Sequence, residues 1–435
     1  MTAEKNIDLL KRKLLHWGNH QNNFCFLNSN KFSDDDKHQL CKYDFLAAAG
    51  WVDELVCENY YLKSLSAFLE RNKGNWVFGF ISYDLKNEIE KLDSGNQDGI
   101  RMPVVHFFIP ETVFECKEGK LVIHHENKLK NIFTELESCN IFDLENCEND
   151  FELQPRISKE KYLLAVNRIK EHIQRGDVYE LTFCQEFFSE DATINPAFVY
   201  EELNAISPAP MSCFYKLNDK FLISSSPERF LRKKGNKLFS QPIKGTLQRG
   251  NNKTEDEKLK QKLFNDEKER AENVMIVDLV RNDLSKVAER GSVQVNELFG
   301  IYSFNTMHQM ISTVSCGLKD GIGFADIIKA TFPMGSMTGA PKVKAMELIE
   351  KYESTKRGLF SGTAGYISPD GEFDFNVIIR SLLYNKTNSY LSLMVGSAIT
   401  AKSNAEYEFK ECLLKAEAIV HSLKNKSAPA QNLPG

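Results

Sequence analysis

The sequence lacks the features that mark membrane proteins, secreted proteins and nucleic-acid-binding proteins. No apolar run approaches the roughly 20 residues that a membrane-spanning helix needs. The first residues, Met-Thr-Ala-Glu-Lys-Asn, lack the charged-then-apolar profile of a signal peptide. A net charge of −5 over 435 residues gives no electrostatic reason to expect binding to nucleic acid. The chain is therefore expected to be a cytoplasmic globular protein.

Cysteine motifs are also missing. The ten cysteines are scattered, with no Cys-x-x-Cys pair and no histidine at zinc spacing. Free thiols in a reducing compartment are therefore favoured over a disulfide framework. No cysteine stands in the Gly-rich elbow that a glutaminase nucleophile requires. Glutaminase activity is therefore not expected of this chain.

The composition is that of an ordinary globular protein, with 42% hydrophobic and 26% charged residues. A length of 435 residues exceeds one ordinary domain. The polar segment 138–155, rich in Asn and Glu, is the candidate linker between an N-terminal subdomain, residues 1–150, and a catalytic domain, residues 156–424. Residues 425–435 are expected to form a disordered tail.

Short apolar runs separated by polar turns predict strands in the first 150 residues, with helical pieces such as residues 37–49 between them. A helix is predicted from Ser158, which can cap it, to Gly176, which can end it. Residues 178–183 then predict a strand. Glu180 is expected on the solvent face of that strand, the usual place for a charged residue.

The densest group of small residues is the stretch 332–342. A loop containing Gly335 and Gly339 leads into Pro341, a residue suited to the start of a helix. Such a loop suits an anion, because the first N–H groups of a helix lack partners inside it. Ordinary capping is the commoner explanation of a loop like this. A Walker-type phosphate loop is excluded, because three residues rather than four separate the glycines.

Two charged residues lie in apolar surroundings upstream of this loop. Glu228 follows an apolar strand, and as a surface carboxylate it would pair with a nearby arginine. Lys244 lies between Ile243 and Gly245, where burial of an ammonium is costly. Desolvation lowers the pKa of a lysine, so a neutral, nucleophilic amine is expected at this position.

Two pairs of glutamates lie on predicted helices. Glu269 and Glu272 are three residues apart and share a helix face, as do Glu408 and Glu411. If the two helices meet, four carboxylates converge, and a hard divalent cation such as Mg²⁺ would neutralise them. Two solvated amphipathic helices would give the same pattern.

Together these segments closely resemble the chorismate-utilising enzymes, the family of aminodeoxychorismate synthase component I and anthranilate synthase component I, over residues 158–422. The resemblance implies an α/β (α+β) fold with two large, mostly antiparallel β-sheets packed together and flanked by helices. Its motifs are residues 224–229, 242–246, 271–284, 335–342, 374–380, 396–400 and 408–411.

Chorismate carries a ring carboxylate and an enolpyruvyl carboxylate, and the resemblance assigns groups to both. Mg²⁺ would bridge the ring carboxylate to Glu272 and Glu411, with Glu269 and Glu408 as nearby or water-mediated ligands. The second carboxylate would be held by the cations Arg380 and Lys415. Backbone N–H groups near Gly365 and Gly396 would hold it as well.

The resemblance also assigns the chemistry on the ring. Glu228 would be the general acid that protonates the departing C4 hydroxyl group. Lys244 would attack C2 as C4 loses its oxygen, and ammonia would then add at C4 and expel the lysine. His308 is expected near the ring, and Thr246 is expected to contact the substrate.

Position 244 separates two activities within the family. Anthranilate synthases carry Ala in this motif, so Lys244 implies the formation of 4-amino-4-deoxychorismate, a precursor of 4-aminobenzoate and folate. Glu180 stands where related aminating enzymes have Gln and water-adding enzymes have Lys, and the missing Lys counts against isochorismate and salicylate synthesis. Phe360 replaces a Tyr that contacts substrate in many relatives. Residues 26–29 differ from the corresponding element of tryptophan-regulated anthranilate synthases, so tryptophan control is doubtful.

Two alternatives stay open. The first is anthranilate synthase component I, which converts chorismate to anthranilate and pyruvate. The second is a chorismate-binding protein without turnover.

Overall fold

The computed structural model describes residues 3–30, 32, 41–125, 130–139, 151–304 and 307–423. Within these ranges the chain forms eleven α-helices. They are α1 (Ala3–Gly18), α2 (Tyr61–Arg71), α3 (Lys86–Glu90), α4 (Lys130–Ser138), α5 (Lys159–Arg175), α6 (Pro196–Ile206), α7 (Lys253–Asn265), α8 (Glu267–Ser285), α9 (Phe324–Thr331), α10 (Lys342–Tyr352) and α11 (Ala405–Ser422).

The described strands form two sheets, and the first has eleven strands. Its strands are β1 (Asn23–Asn28), β2 (Phe45–Ala49), β6 (Thr112–Lys117), β7 (Lys120–His125), β8 (Gln154–Pro155), β9 (Glu180–Ser189), β10 (Met211–Leu217), β11 (Lys220–Ser226), β17 (Gly339–Ala340), β20 (Ser381–Asn385) and β21 (Tyr390–Thr400). Their order is β17-β9-β21-β20-β11-β10-β1-β2-β6-β7, with β8 added beside β9.

The second sheet has ten strands. They are β3 (Asp53–Val56), β4 (Val77–Ile81), β5 (Val105–Ile109), β12 (Arg229–Lys234), β13 (Lys237–Gln241), β14 (Ile243–Gln248), β15 (Gln294–Ser303), β16 (Met307–Gly317), β18 (Thr363–Ile367) and β19 (Phe373–Asn376). Their order is β14-β16-β13-β12-β19-β18-β4-β5-β3, with β15 paired to β16.

All described strand pairs within the two sheets are antiparallel, including the two longest ladders, β21 with β9 and β15 with β16. The fold class expected from the sequence, two large antiparallel sheets with helices, is confirmed.

The first 150 residues do not build a separate sheet. Strand β1 lies between β2 and β10 in the first sheet, and β4 lies between β5 and β18 in the second. The N-terminal and catalytic parts predicted from the sequence therefore share both sheets. Most of the predicted linker, and the whole predicted tail, lie outside the described residues.

Apolar side chains fill three layers. Rings such as Phe78, Phe108 and Tyr215 pack between the two sheets. The outer face of the first sheet packs on helices that include α5 and α11, for example through Tyr162 and Phe409. The outer face of the second sheet packs mainly on α2, α8 and α9. Helices therefore cover both sheets, and α8 and α11 bring their acidic residues in from opposite sides.

Local predictions met different outcomes. The predicted helix from Ser158 to Gly176 is confirmed, because Ser158 caps α5 and Gly176 ends it in a left-handed conformation. The predicted helix 37–49 is wrong where it can be compared, since Phe45–Ala49 form β2. All nine cysteines in the described ranges are free thiols. No helix in those ranges is long and apolar enough to cross a membrane.

Candidate active site

Glu228 lies where the chain crosses from one sheet to the other. It is one of two residues between β11 in the first sheet and β12 in the second, and it is only 4% exposed. Burial raises the pKa of Glu228 to about 7, although the Ser336 hydroxyl, the Lys244 ammonium and the Ile243 N–H lower it. A carboxyl group that titrates near neutral pH can hold a proton and release it, as a general acid must.

The glycine-containing loop singled out in the sequence forms one wall beside this carboxyl group. Ser336 lies in the short 3₁₀ turn Gly335–Met337 and lines the same small cavity as Glu228. The Thr338 carbonyl accepts a hydrogen bond of 2.7 Å from the Thr182 N–H. This bond fixes the loop to β9. The first sheet therefore holds the loop in place beside Glu228.

Lys244 extends from β14 into the space between the sheets. Its side chain is 10% exposed, and its Nζ lies 3.6 Å from Oε1 of Glu180 at the start of β9. Burial alone would lower the pKa of Lys244, but the carboxylates of Glu180, Glu272, Glu228 and Glu269 together raise it. The expectation of a neutral amine is therefore wrong for the enzyme without substrate, because four acids outweigh desolvation and keep the lysine charged.

The two pairs of glutamates lie around one lysine of α8, Lys268. Asp266 caps α8 and sets Glu269 and Glu272 on one face of that helix. The Lys268 ammonium lies 3.8 Å from Oε1 of Glu272 and 3.4 Å from Oε1 of Glu408 on α11. Glu269 and Glu411 also raise the pKa of Lys268, so all four carboxylates surround one cation.

The acids differ in their protonation. Burial raises the pKa of Glu272 to about 7 and also raises the pKa of Glu269. Burial acts in the same direction on Glu411, but the adjacent Lys415 ammonium, 2.7 Å away, lowers the pKa of Glu411 below its ordinary value. Glu272 therefore carries part of its charge near neutral pH, whereas Glu411 is ionised.

The donor types suit a hard divalent cation. Oε1 of Glu272 is buried and accepts no hydrogen bond from the described residues, so it is available to a ligand. Within the described ranges, however, no group of three or more His, Cys, Asp or Glu side chains that could hold a metal ion is present. Lys268 is the cation between the two helices in this structure. The magnesium site remains a prediction.

Arg380 is a cation without an acidic partner. Burial lowers the pKa of Arg380 to about 10, and Nη1 lies 2.9 Å from the sulfur of Met307. No ion pair to Arg380 occurs among the described residues, and its backbone φ of 48° is the left-handed conformation that side chains avoid. A half-buried guanidinium that lacks a carboxylate partner among the described residues is suited to bind one from a substrate.

Lys415 is less available than Arg380. Its Nζ donates to the Gly396 carbonyl at 3.0 Å and pairs with Glu411. Gly396 is required as glycine because an added Cβ would lie 2.4 Å from Sγ of Cys184. The structure therefore brings Lys415 and Gly396 together beside Glu411 on α11.

His308 and Thr246 lie side by side on the strand pair β14–β16. The ring of His308 is fully buried, with Nε2 2.9 Å from Oδ1 of Asp256 and Nδ1 2.9 Å from Oγ of Ser303. Thr246 is exposed, two residues beyond Lys244, and is paired to Gln309. Both nitrogens of His308 therefore already have partners, and Thr246 is free to meet a ligand.

Gly365 is the predicted site residue that the structure does not bring to this cluster. It lies in β18 between Phe375 and Gly79, and it lines a different cavity that includes Tyr43 and Asn376. An added Cβ would lie 2.1 Å from a backbone oxygen, so the close approach of strands already explains the glycine.

Sequence reasoning misplaced one residue, Glu180. The structure buries it completely rather than on a solvent face, because all but one residue of β9 are buried, with helices on one side and the second sheet on the other. No local signal in the sequence indicates this burial, because Glu180 and Thr182 alternate with Leu181 and Phe183 as in a half-exposed strand. Lys268 was overlooked for a similar reason, because a lysine near a helix start gives no local signal.

Comparison with known proteins points to the same family as the sequence motifs. The family model for chorismate binding enzymes matches residues 19–421. Aminodeoxychorismate synthase component 1 of Bacillus subtilis is 34% identical over 364 residues, which are 80% of this chain and 77% of that protein. Anthranilate synthase component 1 of Thermus thermophilus is 32% identical over 369 residues, 81% of this chain and 78% of that protein.

A solved structure shares the fold. Anthranilate synthase component I from Streptococcus pneumoniae superposes with a TM-score of 0.75 at 26% identity, covering 89% of this chain and 94% of that one. Both activities therefore occur among similar proteins at nearly equal identity, so overall similarity alone does not choose between them.

Proposed function

The chain belongs to the family of chorismate binding enzymes, and we propose that it replaces the C4 hydroxyl group of chorismate by an amino group, as an aminodeoxychorismate synthase component. The observation that carries this proposal is Lys244, a buried primary amine within the electrostatic reach of Glu228 and the α8 glutamates. The anthranilate synthases that the chain resembles carry Ala at this position. A methyl group there could neither add to the ring nor carry charge.

Glu228 would begin the reaction by giving its proton to the departing C4 oxygen. Hydroxide is a poor leaving group, and water is a good one. A carboxyl group with a pKa of about 7 is largely protonated at neutral pH and below, so it can serve as the donor. After the departure of water, the ionised Glu228 can accept a proton from the amine that has entered at C4.

Lys244 would supply the nucleophile. Its nitrogen adds at C2, the ring double bonds shift, and the C4–O bond breaks. Ammonia then adds at C4, the double bonds shift back, and the C2–N bond to Lys244 breaks. The enolpyruvyl group stays attached throughout, so no pyruvate forms. The product is 4-amino-4-deoxychorismate.

Substrate orientation would come from cations at two ends of the site. Arg380 carries no acidic partner in the described structure and would bind one carboxylate of chorismate through its guanidinium. Glu272 and Glu411, with Glu269 and Glu408 beside them, would hold Mg²⁺, which when bound neutralises the other carboxylate. Displacement of Lys268 from between the helices would accompany that binding.

Ammonia would come from a glutamine amidotransferase subunit, since the sequence has no glutaminase elbow. The word component in the names of the similar proteins agrees with a second subunit. In this role the chain would act in the cytoplasm, in the 4-aminobenzoate branch of folate synthesis. Free thiols at all nine described cysteines agree with a reducing compartment.

The test is a product assay. The purified chain is incubated with chorismate, Mg²⁺ and ammonium, with and without a lyase that converts 4-amino-4-deoxychorismate to 4-aminobenzoate. We expect 4-aminobenzoate only when the lyase is present. Anthranilate and pyruvate without the lyase would establish the alternative, anthranilate synthase component I. Binding of chorismate without turnover would show a non-catalytic protein.

A further inference from the structure

Glu180 has an unusual environment for a buried carboxylate. It is 0% exposed, and neither of its oxygens accepts a hydrogen bond from the described residues. Buried charges in folded proteins are normally both paired and hydrogen-bonded. The contact recorded for Glu180 is the Lys244 ammonium, 3.6 Å from Oε1, beyond ordinary hydrogen-bond distance. A purely structural ion pair would be expected to close that gap.

The position of Glu180 is fixed by the first sheet rather than by its own contacts. It begins β9, opposite Thr400 on β21 and Ala340 on β17. Its backbone is thus held between two neighbouring strands at the end of the sheet. The side chain of Glu180 can therefore change its contact with Lys244 or with a ligand without movement of the strand.

Lys244 must lose a proton before its nitrogen can add to carbon. Of the charged groups around it, Glu180 is the carboxylate within 4 Å among the described residues. Glu228 cannot serve, because it has to be protonated to release water from C4. The α8 glutamates also act on Lys244, but in the proposed function they hold Mg²⁺. The groups that face Lys244 are Glu180 from β9, Glu228 from the β11–β12 link, Glu269 and Glu272 from α8, and Glu411 and Lys415 from α11.

We propose that Glu180 is a positioning residue that takes a proton from the Lys244 ammonium as its nitrogen adds to C2, and returns it when the lysine is expelled. This inference rests on the proposed function, because it needs the covalent lysine step. It also gives a role to the residue that departs from the Gln of related aminating enzymes.

The step balances in atoms and charge. The Lys244 ammonium gives one proton to the Glu180 carboxylate, and the neutral nitrogen forms a bond to C2 while the C4–O bond breaks. Glu228 gives its proton to the departing oxygen, which leaves as water. Ammonia then bonds to C4 and the C2–N bond breaks, which frees a neutral lysine. The new C4 ammonium gives a proton to Glu228, and Glu180 returns its proton to Lys244.

The variant that tests this is Glu180→Gln, which keeps the shape of the side chain and removes the proton acceptor. Gln is the residue that related aminating enzymes carry here, so the variant is expected to fold, and its melting temperature is measured as a check. Glu180→Asp, which keeps a carboxylate, is the matched control. Formation of 4-amino-4-deoxychorismate is followed for all three proteins from pH 6 to 9, with ammonium as the nitrogen source.

The pH profile separates a proton acceptor from a structural group. We expect Glu180→Gln to lower kcat/KM for chorismate by tenfold or more at pH 7. The difference in kcat/KM between the variant and the wild type should become smaller as pH rises, because hydroxide in the solvent then takes the proton in place of Glu180. We expect Glu180→Asp to recover part of the rate. In a Lys244→Ala background, Glu180→Gln should cause no further loss, because Glu180 acts through Lys244.

Several results would overturn the inference alone. The first is a wild-type rate in Glu180→Gln, and the second is a loss of kcat/KM that is equal at every pH. The third is a loss of rate that adds to that of Lys244→Ala in the double variant. The fourth is an effect confined to KM for ammonium, which would mean that Glu180 acts on ammonia instead. If Glu180→Gln is unstable, Glu180→Asp provides the test. A Glu180→Asp rate no higher than the rate of Lys244→Ala would also overturn the inference. A wild-type chain that forms no 4-amino-4-deoxychorismate overturns the proposed function, and this inference with it.

Discussion

The ammonium of Lys244 lies 3.6 Å from the carboxylate of Glu180, and the two residues belong to different sheets. Lys244 is on β14 of the second sheet, and Glu180 is on β9 of the first. Each sheet therefore contributes one member of the pair. Relative movement of the sheets would change the distance between them, so the packing between the sheets sets the geometry at the reactive amine.

Replacement of Lys244 is the first prediction. Lys244→Ala should lower kcat for 4-amino-4-deoxychorismate by ~10³-fold or more, because a positioned nucleophile is lost. Some anthranilate should appear, as the site then carries the Ala of anthranilate synthases. Products are separated by liquid chromatography. Lys237→Ala, at an exposed position on β13, should behave as the wild type. Unchanged aminodeoxychorismate formation would mean that ammonia attacks without a lysine adduct.

Replacement of Glu228 by Gln should raise the stability of the fold at pH 8 and lower the activity. The unfolded carboxyl group titrates near pH ~4.3, whereas the folded one has a pKa of about 7. Because the folded pKa is raised, the folded state loses stability as pH rises from about 4 to about 7, and the loss then levels off. Glu228→Gln cannot ionise and avoids that loss. It should be more stable than the wild type at pH 8 by up to about 3 kcal/mol, and similar to it at pH 4.

The same variant should lose activity, by ~10²-fold or more, since an amide cannot act as the acid. In the wild type, kcat/KM should fall above about pH 7 as Glu228 ionises. Urea unfolding at pH 4.5 and pH 8 gives the stabilities, and a pH–rate profile gives the activity. A Glu228→Gln variant less stable than the wild type at pH 8, or a rate that rises steadily from pH 6 to 9, would contradict this assignment.

Arg380 should matter for substrate binding and little for folding. Since it has no acidic partner in the described structure, Arg380→Met breaks no ion pair and removes a buried charge. We expect KM for chorismate to rise ~10- to 100-fold, the value of a lost charge-assisted hydrogen bond, with an unchanged or higher melting temperature. Isothermal titration and thermal unfolding measure the two effects.

Arg357 is the contrasting control. It is buried, whereas Arg380 is half-buried, and it pairs with Glu353 at 2.6 Å and donates to the Thr182 carbonyl at 2.8 Å. Arg357→Met should destabilise the fold by roughly 3–5 kcal/mol, because it leaves a buried carboxylate without its partner. Equal destabilisation by the two substitutions would show that Arg380 is a structural residue.

The acidic cluster should bind a divalent cation through residues of both helices. Glu272→Gln and Glu411→Gln should each weaken Mg²⁺ or Mn²⁺ binding at least ~10-fold, because each removes a charged oxygen ligand. Glu417→Gln, at an exposed position on α11, should not. Lys268→Gln should strengthen binding, since it removes the cation between Glu272 and Glu408. Calorimetric titration measures all four. Identical affinities across the set would exclude this site.

Much of the site could be predicted because its residues lie in short motifs with strong local chemistry. Glu272 and Glu411 sit at fixed spacing on amphipathic helices, and a shared cation is the natural way to neutralise them. Glu228 and Lys244 stand out because charged residues are rarely placed among apolar ones. In the structure, Lys244 is near enough to lower the pKa of Glu228, Glu272 and Glu411.

What escaped prediction depends on tertiary contacts. Residues Phe45–Ala49 are rich in alanine, which favours a helix, yet they form β2 because β1 and β6 pair with them on either side and every residue is buried. The charge on Lys244 could not be read from its neighbours in sequence, because the acids that hold it come from β9 and α8.

The position of the incoming nitrogen tests the central claim most directly. The chain is incubated with chorismate, Mg²⁺ and ¹⁵N-ammonium, the products are treated with the lyase, and the label is located by nuclear magnetic resonance. We expect ¹⁵N at C4, para to the carboxylate, with no pyruvate released by the chain itself. Label at C2, ortho to the carboxylate, with pyruvate released before the lyase is added, would contradict the proposed function.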